Sequence, residues 1–101
     1  MSLPHIQMPE HSIVEFCRRW EIQEFSLFGS VLRDDFRPES DVDVVVSFER
    51  GAAWSLLDLA TMQEELSDIL GRSVDLIEAE ALRNPYRRAA ILGSKQVVYA
   101  A

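Results

Sequence analysis

The first helix of the chain is predicted by the spacing of its apolar residues. Ile13, Phe16, Cys17 and Trp20 recur at i, i+3, i+4 and i+7, so they share one face of an amphipathic α-helix. We expect this helix to cover residues 10–21 and to rest its apolar face on a core. Cys17 lies on that face and is predicted to be a core residue.

Four runs of residues have the character of β-strands. Residues 24–28 alternate polar and apolar side chains until Gly29 interrupts them, and residues 41–48 are rich in valine, with two acidic residues at their leading end. Residues 74–77 and 96–99 are shorter apolar runs with β-branched residues. Alternation and β-branched side chains suit a pleated sheet, so the sequence predicts four strands.

Two helices are predicted between the first three strands. A short helix is expected to begin at Ser30 and to be closed by Pro38. A longer helix is expected over residues 54–70, because this segment carries an apolar row at helical spacing, and Gly71 is a suitable C-cap. The row consists of Leu59, Met62, Leu66 and Ile69. Most of this row is predicted to be core, and part of the helix is a candidate for a partner interface.

A last helix is predicted before the fourth strand. Pro85 suits the first turn of a helix, and we expect this helix to run to Leu92 and to end at Gly93. The resulting order, αβαβαβαβ, predicts an α+β fold in which helices pack on a small mixed sheet. We expect one domain over residues 1–101, because a chain of 101 residues suffices for a single core only.

Composition and charge narrow the classes of function. Hydrophobic residues make up 48% of the chain and charged residues 27%, as in ordinary globular proteins. The net charge of −7 would repel a phosphate backbone, which disfavours a general nucleic-acid binder. The one notable basic group, Arg83, Arg87 and Arg88, is interpreted as a solvated helix face, with binding to a protein partner or a phosphate tail as the alternative.

The chain has neither an apolar run of membrane-spanning length nor the pattern of a signal peptide, so we expect no membrane association. Its single cysteine cannot form an internal disulfide. Both observations favour a cytoplasmic protein.

Candidate chemistry begins where the first strand ends, at Gly29 and Ser30. A strand that stops at a Gly-Ser pair and turns into a helix presents backbone N–H groups, a hydroxyl and the positive end of the helix dipole, all of which favour a phosphate. Gly29 would allow the close approach, and Ser30 would donate to a phosphate oxygen. The structural alternative is an ordinary turn, in which such pairs are common.

Asp41 and Asp43 form a second candidate group. Alternate residues of a strand project from the same face, roughly 6–7 Å apart, so both carboxylates point to one region. Two carboxylates aimed together beside apolar residues repel each other unless a cation lies between them. Oxygen ligands suit Mg²⁺, with Mn²⁺ as the alternative, and both ions bridge to triphosphate oxygens. The competing interpretation is a pair of solvated charges at a strand end.

Asp75 is the third candidate, because a charge inside the apolar run of residues 74–77 is costly without a partner. If the third strand lies beside the second, Asp75 joins Asp41 and Asp43 in a site for two metal ions about 4 Å apart. One ion would hold the triphosphate and the other would activate an attacking hydroxyl. A surface carboxylate at a strand end is the competing explanation.

These residues form one combined pattern along the chain. It consists of Gly29-Ser30, ten intervening residues, Asp41-Val42-Asp43 and the later Asp75, with Arg33 and Ser40 in between. The pattern resembles the DNA polymerase beta-like nucleotidyltransferase superfamily and, within it, the minimal nucleotidyltransferase group. The likeness extends over nearly the whole chain. It implies the palm-like nucleotidyltransferase fold of that superfamily.

The resemblance implies a metal-dependent site. Asp41, Asp43 and Asp75 would be the metal ligands, and Asp75 would also be the general base. Two Mg²⁺ ions are implied as cofactors, and the nucleoside triphosphate that they hold would be ATP, the usual substrate of the group.

The resemblance also implies the residues that bind the nucleotide. Ser30, presented by Gly29, would be a ligand of the triphosphate. Arg33 fits the pattern as a further contact, and its alternative role is an ion pair with the neighbouring Asp34 or Asp35.

Minimal nucleotidyltransferases pair with a small all-helical HEPN-domain ribonuclease, a toxin, so the resemblance implies an antitoxin. The expected reaction transfers AMP from ATP to a tyrosine hydroxyl of the toxin and releases pyrophosphate. A catalytic sheet without a second domain for the acceptor fits this expectation, because another protein would carry the hydroxyl. The alternatives are an antitoxin that neutralises by binding alone, and a small-molecule nucleotidyltransferase that completes its acceptor pocket as a homodimer.

Overall fold

The computed structural model describes residues 8–33, 36–37 and 39–101. Asp34, Asp35 and Pro38 lie outside the described residues, and so do the expectations attached to them. In chain order the elements are α1 (Glu10–Arg19), β1 (Ile22–Phe28), a first 3₁₀ helix (Gly29–Leu32), β2 (Val42–Phe48), α2 (Leu56–Leu70), β3 (Val74–Glu78), a second 3₁₀ helix (Ala79–Ala81), α3 (Pro85–Ser94) and β4 (Gln96–Ala100). The predicted order of helices and strands is confirmed, with the first 3₁₀ helix in the place of the short helix.

Local backbone geometry explains where α1 and α2 depart from their predicted bounds. α1 stops at Arg19 because Glu21 has a positive φ of 55°, which a right-handed helix cannot contain. α2 begins at Leu56 because Ser55 is its N-cap. The Ser55 hydroxyl accepts from the Asp58 amide at 3.2 Å, and the Asp58 carboxylate accepts from the Ser55 amide at 2.9 Å, which is a capping box.

The prediction that Gly93 ends α3 is wrong. The helix continues to Ser94, because Gly93 lacks the positive φ that would turn the chain out of the helix. The extended backbone of Lys95, with φ −62° and ψ 150°, ends the helix instead.

The four strands form one mixed sheet in the order β3-β2-β1-β4. β1 is antiparallel to both β2 and β4, whereas β2 and β3 are parallel. A parallel pair needs a crossover connection, and α2 supplies it. The crossover places the start of β3 beside the start of β2, so residues at the leading ends of these two strands become neighbours.

The two faces of the sheet carry separate apolar clusters. α1 and α2 cover one face, on which Val44 and Val46 of β2 are buried. α3 covers part of the other face, where Val45 and Ile91 belong to a smaller cluster. Because side chains alternate along a strand, Asp43 lies on the same face as Val45. That face therefore carries both the second apolar cluster and a candidate site residue.

The apolar helix faces predicted from spacing are confirmed by burial. Ile13, Phe16 and Cys17 of α1 are buried, and burial raises the pKa of the Cys17 thiol to about 12. Met62 and Leu66 of α2 are buried against the same cluster. Among the described helices, none combines the length and the apolar character needed to cross a membrane.

Candidate active site

Gly29 turns the chain at the end of β1 and lies against a carboxylate. Its φ is +74°, a value that favours glycine. A Cβ atom at this position would lie 2.5 Å from Oδ2 of Asp43, well inside van der Waals contact. The glycine therefore serves two purposes, the left-handed turn and the close approach of Asp43.

Ser30 connects the turn to the same carboxylate. Its backbone N–H donates to Asp43 and lowers the pKa of that group, whereas the sequence suggested that this amide would face a phosphate. The first 3₁₀ helix has four residues, so it contributes little of the helix dipole that a longer helix would provide. The Ser30 amide thus orients the carboxylate of Asp43, the predicted metal ligand.

Strand pairing brings Asp43 and Asp75 together. They are register partners in the parallel pair of β2 and β3, so their backbones lie about 4.8 Å apart. The sequence argument placed Asp75 in the site on the condition that β3 lies beside β2, and this adjacency is confirmed. Asp41 is exposed and lies immediately before β2, one alternation from Asp43.

The burial argument for Asp75 is wrong, although its position agrees with the prediction. The Asp75 side chain is exposed, while the neighbouring Val74 is buried. Alternation along a short strand places the acidic residue on the open side. Its link to the other aspartates therefore comes from register and not from a buried charge that needs a partner.

The pKa of Asp43 is raised by its burial and by two neighbouring carboxylates. Desolvation is the largest cause that raises the pKa of the Asp43 carboxyl, and the charges of Asp75 and Asp41 raise it further. The Ser30 amide and the Arg87 guanidinium act in the opposite direction. The negative charges of Asp41 and Asp75 therefore both act on Asp43.

This donor set fits divalent metal ions that prefer oxygen. Carboxylate oxygens are the ligands that Mg²⁺ and Mn²⁺ take from proteins, and a cation would relieve the repulsion at Asp43. Within residues 8–33, 36–37 and 39–101, however, no three acidic, histidine or cysteine side chains are close enough to enclose an ion by themselves. The arrangement is an open set of carboxylates, to which substrate oxygens would add the remaining ligands.

Arg33 stands at the exit of the first 3₁₀ helix. Its amide donates to the Ser30 carbonyl at 3.0 Å, and its carbonyl accepts from the Phe36 amide at 3.3 Å. Its side chain is exposed. The ion pair with Asp34 or Asp35 concerns residues outside the described ranges.

Arg87 is a residue to which reasoning from the sequence gave no definite role. It belongs to the basic group of Arg83, Arg87 and Arg88, which was interpreted as a solvated face with binding to a protein partner or a phosphate tail as the alternative. The members of this group differ in the structure. Arg88 donates to the Ala79 carbonyl at 2.6 Å and braces the second 3₁₀ helix, whereas Arg87 lies near enough to Asp43 to lower its pKa. No local pattern distinguishes the two arginines, because the packing of α3 on the sheet decides which of their charges acts on Asp43.

Comparison with known proteins gives the family and one named relative. The model of the family described as nucleotidyltransferase domain matches residues 12–98, a range that includes the turn at Gly29 and all three aspartates. A protein adenylyltransferase, MntA, from Thermococcus cleftensis is 33% identical over 85 residues, which cover 84% of this chain and 81% of that protein.

Two solved structures share the fold. A crystal structure of a toxin–antitoxin with AMP-PNP matches with a TM-score of 0.75 at 18% identity, covering 93% of this chain and 75% of that chain. A complex of the tri-AMPylated HEPN toxin of Shewanella oneidensis with its MNT antitoxin matches with a TM-score of 0.66 at 18% identity, covering 91% and 70%. The chain belongs to the nucleotidyltransferase domain family.

Proposed function

We propose that the protein is a protein adenylyltransferase that acts as the antitoxin of a HEPN-domain toxin. The observation that carries the proposal is that Asp43 lies against the turn at Gly29 and close enough to Asp41 and Asp75 for their charges to raise its pKa. Support for the acceptor comes from the relative named protein adenylyltransferase and from the neighbour in which a HEPN toxin is AMPylated. In this proposal AMP passes from ATP to a tyrosine hydroxyl of the toxin.

The three aspartates are the proposed metal ligands. Asp43 and Asp75 contribute from adjacent strands, and Asp41 contributes from the residue before β2. Two Mg²⁺ ions, or Mn²⁺ as the alternative, would supply positive charge where the triphosphate and the aspartates meet. The contact of Asp43 with the Ser30 amide keeps this carboxylate oriented before any ligand arrives.

The proposed nucleotide contacts lie around the same turn. Gly29 leaves room for a phosphate to approach the backbone, and the Ser30 hydroxyl donates to a phosphate oxygen. Arg33 adds positive charge at the exit of the turn. Arg87 from α3 is a further proposed contact, because a guanidinium forms paired hydrogen bonds with phosphate oxygens.

The proposed transfer exchanges one bond to phosphorus for another. The tyrosine oxygen forms a bond to the α-phosphorus as the bond from that phosphorus to the leaving pyrophosphate breaks in line with it. The tyrosine proton passes to the carboxylate of Asp75. The exposure of Asp75 supports this role, since a hydroxyl carried by another protein can reach it.

The direct test is transfer of labelled AMP. The protein is incubated with labelled ATP, Mg²⁺ and a HEPN-domain protein of its own genome, beside the variant Asp41→Asn with Asp43→Asn. Asp68→Asn on the exposed surface of α2 is the matched control. We expect label on the partner with the wild type and the control, and none with the double variant. A wild type that forms the complex but transfers no label contradicts the proposal.

A second candidate function, neutralisation by binding alone, is favoured by an apolar surface remote from the aspartates. Leu56 and Leu57 at the start of α2 are 85% and 81% exposed. They follow the far end of β2, roughly 17 Å along that strand from Asp43. A partner protein can cover these leucines without contacting the aspartates.

Separate variants distinguish the two functions. Leu56→Ser with Leu57→Ser removes the apolar surface, and Asp41→Asn with Asp43→Asn removes the proposed chemistry. Neutralisation that survives the aspartate changes but not the leucine changes means that binding suffices. Neutralisation lost with the aspartate changes, in a complex that still forms, means that the transfer is required.

A further inference from the structure

Two backbone hydrogen bonds join described residues in the connection between the turn at Gly29 and Asp41. The amide of Phe36 donates to the carbonyl of Arg33 at 3.3 Å, and the amide of Ser40 donates to the carbonyl of Arg37 at 3.0 Å. The Ser40 hydroxyl also accepts from the Arg37 amide at 3.3 Å. Asp41 follows Ser40 directly, so the position of its carboxylate depends on how firmly Phe36, Arg37 and Ser40 are held.

Arg72 contacts both Phe36 and Arg37 of this connection. Its guanidinium carbon lies 4.4 Å from the centroid of the Phe36 ring, within the range of a cation–π interaction. Its Nη2 donates to the carbonyl of Arg37 at 2.9 Å, and its Nε is buried. One side chain therefore holds an aromatic ring and a backbone carbonyl of the connection at once.

Arg72 is itself held by the turn between α2 and β3. Gly71 adopts a left-handed φ of 70°, and the amides of Gly71 and Arg72 donate to the Ser67 carbonyl at 2.8 and 3.2 Å. The carbonyl of Ser73 accepts from the Val42 amide at 2.9 Å. The same turn thus starts the pairing of β2 with β3, and Arg72 is anchored beside the first residue of β2.

We propose that Arg72 is a positioning residue that acts through Asp41. It fastens Phe36 and Arg37 to the start of the β2–β3 pair, so that Asp41 enters β2 with its carboxylate on the side of Asp43. The proposal rests on the proposed function, in which Asp41 is a metal ligand. It adds a residue from the α2–β3 turn that the motif of glycine, serine and aspartates does not contain.

A purely electrostatic role and a positioning role of Arg72 predict opposite effects of its replacement on the binding of a divalent cation. Arg72 lies just before β3, which carries Asp75. Removal of its positive charge strengthens the attraction of a divalent cation to the site, if charge alone matters. Loss of the contacts to Phe36 and Arg37 releases Asp41 and weakens the binding of that cation. The sign of the change therefore separates a positioning role from a general electrostatic one.

The test is a double-variant cycle on Mn²⁺ binding, measured by electron paramagnetic resonance in the presence of a non-hydrolysable ATP analogue. Arg72→Met is compared in the wild-type and Asp41→Asn backgrounds, with Arg18→Met on the exposed side of α1 as the control. We expect Arg72→Met to weaken Mn²⁺ binding about 10- to 100-fold in the wild-type background. We expect no further loss in the Asp41→Asn background.

A conservative variant tests the contacts themselves. Arg72→Lys keeps the charge but lacks the planar guanidinium, so its Mn²⁺ affinity is expected to lie between those of the wild type and Arg72→Met. Unchanged or tighter binding in Arg72→Met overturns the proposal. So does an equal loss in both backgrounds, because Arg72 would then act without Asp41.

Failure of the proposed function is distinguishable from failure of the positioning role. If Asp41→Asn leaves Mn²⁺ binding unchanged, the assignment of Asp41 as a ligand is wrong. Hydrogen exchange at the Ser40 amide then decides the positioning role alone. Faster exchange in Arg72→Met, with unchanged exchange in the middle of β1, supports it, and unchanged exchange at Ser40 overturns it.

Discussion

Gly29→Ala is the substitution that most sharply tests the geometry of the site. An alanine at φ +74° is strained whatever surrounds it, which costs about 1–2 kcal/mol. The added Cβ would also lie 2.5 Å from Oδ2 of Asp43, so the carboxylate must move away by about 1 Å to restore van der Waals contact. The first effect acts on stability, and the second acts on the position of a proposed metal ligand.

Gly51→Ala is a matched control for the strain. Its φ of +91° is also left-handed, but nothing lies within 4 Å of an added Cβ. Both variants should therefore lose about 1–2 kcal/mol of unfolding free energy. Each kcal/mol corresponds to roughly 4–8 °C in Tm for a domain of this size. Gly93→Ala, which is helical and unobstructed, should gain about 0.5–1 kcal/mol.

The assay combines urea unfolding with AMP transfer to the partner. A displacement of about 1 Å at a catalytic group costs on the order of 100-fold in rate, so we expect that loss of kcat/KM for Gly29→Ala. Gly51→Ala should retain its activity after correction for the folded fraction. Equal activities of the two variants would refute the reasoning, because Asp43 would then tolerate the displacement.

Three further predictions concern Asp43, Arg87 and Ser55. Because the folded-state pKa of Asp43 is raised, the metal-free protein loses stability as pH rises through that pKa. Asp43→Asn should therefore be more stable than the wild type in urea at neutral pH, but not below the unfolded-state pKa of about 3.9; a wild type that is the more stable at neutral pH contradicts this. Arg87→Met should raise the KM for ATP at least about tenfold, whereas Arg83→Met, at a position outside α3, should not. Equal KM values for the two variants would mean that Arg87 is a solvated surface residue. Ser55→Ala should cost about 1 kcal/mol by thermal unfolding, since it removes the capping box of α2; an unchanged Tm would mean that the cap is dispensable.

Much of the fold could be predicted because its signals are local. The apolar spacing in α1 predicted a buried face around Phe16. The valines of β2 predicted a strand, and the structure shows apolar clusters on both faces of it. The errors were local too. Gly93 was expected to end α3. A glycine ends a helix in this way only where its backbone becomes left-handed, and the residue type alone does not show whether it does.

The candidate site likewise contains residues that the sequence pattern revealed and one whose place only the structure explains. Gly29, Ser30, Asp41 and Asp43 stand close enough in the chain for the order of residues alone to reveal them as a pattern. Asp75 was selected because its charge would be buried, yet it is exposed. Its place in the site follows from register instead, which a single strand does not reveal.

The sequence by itself determined the elements and the family, because periodicity, capping residues and a spaced motif are written along the chain. Tertiary structure alone decided which distant residues face that motif. The parallel pairing of β2 with β3 put Asp75 beside Asp43. The packing of α3 brought the charge of Arg87 close enough to lower the pKa of Asp43, and the α2–β3 turn set Arg72 against Phe36. Such contacts join residues more than thirty positions apart. They arise from strand register and helix packing, which no local sequence pattern determines.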